Sequence, residues 1–225
     1  MPAHRPGNTP VHVRRYDVAG HDSHVVPNFV RHAALCPEDV PVHPAGAVLR
    51  VTHMVPPLEV GGDGPGPHVL GTVPLTEAEA NQIDTRVVEI AAELAAQRLR
   101  GPYVVRPHAV LERAGDGTVV FQQYSCAGFV IELFREVEID LLATDEARLP
   151  PVTLQTLLVA YPDQARALQL PRARQAVGLD GDGPWPVVLV GYLFNALARR
   201  EDEIRAGPYP PAPGDECFPP RRIDP

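Results

Sequence analysis

The sequence predicts an α+β fold. Three observations carry this: strand-like runs crowd the first 75 residues, one long amphipathic helix follows, and a second helix comes after two further strand-like runs. Twenty-seven prolines in 225 residues, about twice the usual ~5% share, favour short strands and long loops over a helical bundle.

Val11 to Val18 alternates enough for a strand, and Asn28 to Cys36 reads as a second. Pro37 to Gly46 is turn material. Ala47 to Val55, rich in β-branched residues, reads as a third strand. Gly61 to Pro67 reads as a flexible glycine-proline loop, since no Lys-Ser/Thr follows it to make a phosphate cradle. His68 to Val73 is a short fourth strand.

Thr76 with Glu79 spells a capping box, and Ile83, Val87, Ile90 and Leu94 recur at helical spacing. These predict a helix over 77–100, stopped by Gly101-Pro102. Val104 to Val110 and Thr118 to Gln123 are strand-like, joined by the turn Ala114 to Gly117. The next helix starts near Cys126, with Val130, Leu133, Phe134 and Val137 as its apolar stripe; Glu136, Glu138 and Asp140 read as a solvated face. Thr153 to Leu158 predicts a helical turn, and Gly181 to Pro186 a loop. Val187 to Leu193 predicts a buried strand or helix start, and Phe194 to Ile204 a helix. The proline-rich end from Pro208 reads as an irregular extension. The organisation expected is an N-terminal strand and polar segment over 1–27, a core over 28–160, and a C-terminal extension over 161–225.

Composition excludes several functions. The chain has no lysine, so Schiff-base and phosphate-loop lysine chemistry are out. The net charge of -8 argues against nucleic acid, which needs a basic patch. Cys36, Cys126 and Cys217 are too few and too widely spaced for a disulfide framework or a C-x-x-C zinc pattern. His32, Cys36, His43 and His53 match no metal-ligand spacing either, so no metal or cofactor is expected. Met1 to Pro10 is polar and proline-bearing, so no signal peptide is expected, and no apolar run approaches the ~20 residues of a membrane span. A cytoplasmic protein is expected.

Cys126 is the best candidate for a reactive residue. It heads a helix in Tyr124-Ser125-Cys126-Ala127-Gly128-Phe129-Val130. Unpaired N–H groups at a helix start stabilise a thiolate and could bind an oxyanion. Ala127 and Gly128 leave room for a substrate backbone. A cysteine nucleophile usually needs a histidine. All nine histidines precede Cys126, so a Cys–His pair must run in the order His, then Cys. His4, His12, His21 and His24 lie in a polar segment and are expected to be solvated.

These residues resemble a known family. Tyr-Ser-Cys-Ala-Gly-Phe-Val, running on to Phe134-Arg135 and Ile139-Asp140-Leu141, is similar to the nucleophile helix of NlpC-type papain-like peptidases and amidases. Gly101-Pro102-Tyr103 resembles the turn that precedes that helix. The His-before-Cys order is similar to the circularly permuted branch, which includes lecithin:retinol acyltransferase-like enzymes. The resemblance covers roughly residues 28 to 158. Ser125 stands where the family commonly has Asp, and the 37–46 connection is longer than the family hairpin.

The resemblance implies a permuted papain-like fold, with the nucleophile helix on one face of a small mixed or antiparallel sheet containing 29–36, 47–55 and 118–123. It implies Cys126 as nucleophile, His32 in His32-Ala33-Ala34-Leu35 as base, and His53 as the residue that orients it. Tyr124 is a candidate for the oxyanion side. The implied activity is hydrolysis or acyl transfer at an amide or ester of a peptide or lipid, through an acyl-enzyme. A non-catalytic binding or scaffold protein of the same fold is the alternative.

Overall fold

Residues 3–55, 58–97 and 103–219 are described by the structure, a computed structural model. The first 71 residues supply seven strands: β1 (Val11–Val13), β2 (Val18–Asp22), β3 (Val30–Leu35), β4 (Val40–His43), β5 (Leu49–Met54), β6 (Leu58–Gly64) and β7 (Val69–Gly71). Five form one sheet in the order β6-β5-β3-β2-β7, every neighbour antiparallel. β1 and β4 pair separately.

Side chains alternate across a strand, and here both faces are covered. Ala33 and Leu35 face the main core; Ala34 and Cys36 face a smaller one with Val13, Leu49 and Val51. The expected single strand over Val11 to Val18 is two, because Tyr16 takes a left-handed conformation (φ 65°) that turns the chain. The stretch 37–46, expected as turn, contains β4.

The first half of the glycine-rich stretch, 61–64, belongs to β6, and only 65–67 is the expected loop. Glycine suits the strand sterically: a Cβ at Gly64 would stand 2.7 Å from Val51 Cγ2, and one at Gly62 would strike Glu59. Backbone pairing with β5 holds this strand where side chains could not pack.

α1 (Glu77–Ala96) begins at the expected capping box, with Thr76 Oγ1 accepting from Glu79 N–H and the Glu79 carboxylate accepting from Thr76 N–H. It ends at Ala96 with Gln97 as its cap; Gly101 and Pro102 lie outside the described residues. β8 (Ala109–Arg113) and β9 (Val119–Tyr124) form their own hairpin. The expectation that 118–123 joins the main sheet is therefore corrected. β9 packs against α1 instead, and Gln97 bonds the Gln122 backbone in both directions, at 3.0 Å each. The expected strand at 104–110 starts only at Ala109, since the backbone N–H groups of Val105 and Arg106 both donate to Val177 O.

α2 (Cys126–Arg135) follows β9 directly. It lies on β3 and β5, and also touches α1. β10 (Pro151–Val152), α3 (Leu154–Ala160), a 3-10 turn (Pro162–Gln164), α4 (Ala165–Leu168), α5 (Pro171–Ala176), β11 (Trp185–Pro186), α6 (Val190–Leu197) and α7 (Glu201–Ala206) complete the chain. The run 187–193 resolves as the entry to α6. That helix packs on β3 and β7, and Gly20 in β2 is small because Phe194 of α6 occupies the space of a Cβ.

The architecture of the described residues is a mixed α+β one with several antiparallel sheets and seven α-helices. Residues of the N-terminal, central and C-terminal segments share the main core: Val18, Leu35 and Phe129 pack in one cluster with Leu193 and Phe194. β2, inside the expected N-terminal segment, is an interior strand of the sheet.

Candidate functional site

Ser125 caps α2: its Oγ accepts from Gly128 N–H at 2.9 Å, satisfying one of the free amides of the first turn. Cys126 is thus the first residue of the helix, 2% exposed. Gly128 serves the protein's own backbone and not a substrate's: a Cβ there would lie 2.0 Å from His108 O. The same carbonyl accepts from Ser125 N–H at 2.9 Å, so it anchors the helix start.

β3 and β5 pair only at Leu35 and Thr52. Past that point, toward His32 on one strand and His53 on the other, they part. The Ala33 backbone lies close to the Cys126 sulfur at this end. His32 is a diagonal neighbour of His53, and His32 Nε2 lies 2.7 Å from His53 Nδ1. His53 Nε2 lies 3.1 Å from Glu59 Oε2, because His53 and Glu59 stand directly opposite on β5 and β6.

This chain fixes the tautomers. A carboxylate can only accept, so Glu59 accepts a hydrogen bond from His53 Nε2–H. His53 Nδ1 then accepts from His32 Nε2–H. The lone pair of neutral His32 is left on Nδ1.

His32, His53 and Cys126 line one cavity of about 370 Å³. His21, His68 and Arg31 line it too. His21 stands opposite His32 on β2 and stacks on it, ring centroids 6.1 Å apart and planes 8° from parallel. It is buried, not solvated as its polar sequence neighbourhood suggests. His68 Nδ1 accepts from Asp22 N–H at 3.1 Å.

Burial, then the neighbouring charges of His53, His21 and Arg31, pull His32 down to about 3. Burial, then His68, Arg31 and His53, pull His21 down to about 4. Both are uncharged at neutral pH. Burial also pushes the Cys126 thiol above the ordinary thiol range. The backbone amides of Ala33, Ala127 and Cys126 and the Tyr103 hydroxyl pull it back only in part. The helix-terminus argument from sequence is right in sign, and burial outweighs it. Among the described residues no hydrogen bond joins Cys126 to His32 or His53.

Tyr124, the sequence candidate for the oxyanion side, points elsewhere. Its hydroxyl donates to Gln122 Oε1 at 2.7 Å inside the protein, its ring packs on Phe129, and it does not line the cavity. A tyrosine whose hydroxyl the buried Gln122 side chain already engages is not available to a substrate. Tyr103 and Tyr161 are the tyrosines nearer the thiol: both line the cavity, their rings meet edge to face at 6.3 Å, and the Tyr103 phenol lies toward the sulfur. Tyr103 sits beside Tyr124 in a single parallel bridge, which places it at the helix start. Tyr161, the cap residue of α3, comes from a segment with no recognisable motif.

Cys36 and Cys217 are free thiols away from this cavity. Among the described residues no group of three or more His, Cys, Asp and Glu could hold a metal ion. Among them, too, no helix is long and apolar enough to cross a membrane. Comparison of the chain with protein-family models, with curated proteins and with solved structures finds no match.

Proposed function

We propose that this protein is a cysteine hydrolase or acyltransferase of permuted papain-like type, acting on an amide or ester. One observation carries the reading: a thiol at a helix start opens on the same cavity as a Glu59–His53–His32 hydrogen-bonded chain that leaves a lone pair on His32.

In the resting site the thiol and the imidazole are both neutral. When a carbonyl enters, Cys126 Sγ forms the S–C bond while its proton passes to His32 Nδ1. The proton then goes from His32 to the leaving amine or alkoxide, giving a thioester. Water, or an acceptor amine or alcohol, gives its proton to His32 as it attacks that thioester, and the thiol is restored. The hydroxyls of Tyr103 and Tyr161 and the first amides of α2 are the donors available to the oxyanion. Thiol–imidazole hydrogen bonds in empty sites are commonly long and tighten when substrate binds. A nucleophilic thiol must stay reduced, so the reading goes with a cytoplasmic setting and with peptide, amide or lipid-ester substrates.

A second reading has its own support. The protonated thiol and the missing Cys126–His32 hydrogen bond also suit a non-catalytic binding protein of the same fold. An activated ester separates the two. With p-nitrophenyl acetate, the catalytic reading expects a burst of p-nitrophenol and an acetyl adduct on Cys126 by mass spectrometry. Cys126→Ser and His32→Ala should lose both. Absence of adduct on Cys126, or an adduct that forms equally well in His32→Ala, leaves the binding-protein reading standing.

A further inference from the structure

Arg31 is placed unusually for a strand residue. Successive side chains of a strand normally point to opposite faces. Here the β2–β3 register slips: His21 pairs with His32, but Asp22 pairs with Val30. Arg31 is the extra residue of a bulge, without a cross-strand partner, and bulges re-aim side chains next to sites. As a result the consecutive residues Arg31 and His32 both line the cavity that holds Cys126.

Arg31 also has no carboxylate of its own. Among the described residues it makes no ion pair, although the chain is rich in acid. The neighbouring Asp22 is taken by Arg5. Asp163, on the 3-10 turn that also lines the cavity, is exposed and solvated. Beside Arg31, buried His21 presents a ring nitrogen, Nδ1, with no hydrogen-bond partner. An arginine fork without a partner, beside an unmet polar atom, suits a planar anion.

We propose that Arg31 recognises a carboxylate on the substrate, so that the preferred substrates are amides or esters carrying an acidic group close to the scissile carbonyl. This rests on Cys126 being the reacting thiol.

The test uses two alkylating reagents of nearly equal size on the full chain at pH 8: iodoacetate, which carries the carboxylate, and iodoacetamide, which does not. The rate ratio of the two at Cys126, read by mass spectrometry, is compared with their ratio on N-acetylcysteine. The ratio at Cys126 should exceed the free-thiol ratio about tenfold or more. Arg31→Gln should bring it down to the free-thiol value, and Arg31→Lys should keep part of the advantage. A ratio no higher than the free thiol's, or one that Arg31→Gln leaves intact, overturns the assignment of Arg31 while Cys126 remains a reactive thiol. If neither reagent labels Cys126, the nucleophile reading itself falls and this assignment falls with it.

Discussion

His32 Nε2 and His53 Nδ1 lie 2.7 Å apart across the gap where β3 and β5 separate, and Glu59 holds the far nitrogen of His53 at 3.1 Å. Three residues on three adjacent strands thus set the protonation of one ring. Two of them are histidines from separate sequence segments; the third, Glu59, falls between the expected third strand and the expected glycine-proline loop, where the sequence predicts no element.

On the proposed mechanism, the chain of contacts predicts a graded loss of activity. His32→Ala should reduce ester acylation of Cys126 to near background, since the base supplies about 10²–10⁴-fold. His53→Ala should cost about 10–100-fold, the range for a group that only orients another. Glu59→Gln should cost less, because an amide oxygen still accepts. Stopped-flow release of p-nitrophenol measures all three. A Glu59→Gln loss as large as that of His32→Ala would show that Glu59 does more than orient.

Thiol ionisation should start late. Burial pushes Cys126 up, so iodoacetamide labelling should be slow at pH 6 and still rising beyond pH 9. This reverses the expectation from the helix terminus alone, which favours fast labelling at low pH. Tyr103→Phe removes a donor to the sulfur and should move the rise to higher pH. A rate plateau reached below pH 8 would mean that a partner stabilises the thiolate more than burial opposes it.

Acid should weaken the fold before most of its carboxylates titrate. His32 and His21 are held at about 3 and about 4, against 6.5 when unfolded, so the unfolded chain binds the extra protons. Their stabilisation is full above pH 6.5 and is lost as pH falls toward those values. Asp17, raised to about 6 chiefly by burial, works in the opposite direction over 6 to 3.8, one group against two. The unfolding free energy from urea titrations should therefore fall between pH 6.5 and 4.5, by on the order of a few kcal/mol. A His21→Asn/His32→Asn variant should show a flatter profile; an unchanged slope would mean that these rings are not the source.

Gly128→Ala should destabilise by roughly 1–3 kcal/mol, the usual cost of overpacking, because the obstacle is the His108 carbonyl and not a movable side chain. Gly115→Ala is the control: nothing lies within 4 Å of a Cβ there, and it should stay within about 0.5 kcal/mol. Denaturant midpoints compare them. Equal midpoints would place the His108 connection among the adaptable parts of the fold.

Short-range chemistry was legible in the sequence. The Thr76–Glu79 box, the apolar period of α1, the β8–β9 turn and the start of α2 at Cys126 each depend on residues a few positions apart. The order of histidines before the cysteine is read directly off the chain, and His32 and His53 do meet. The tertiary structure decided what depends on register and burial. It put 119–124 in a separate hairpin, made an edge strand of the first half of the glycine run, and turned Tyr124 inward while bringing Tyr103 and Tyr161 to the thiol. The contacts of Glu59 and Arg31 come from a cross-strand pair and a one-residue slip, and neither leaves a mark in local sequence. The state of the thiol follows the same division. A helix start favours the anion through groups within one turn, whereas desolvation is set by every element packed around Cys126, and desolvation is the larger effect.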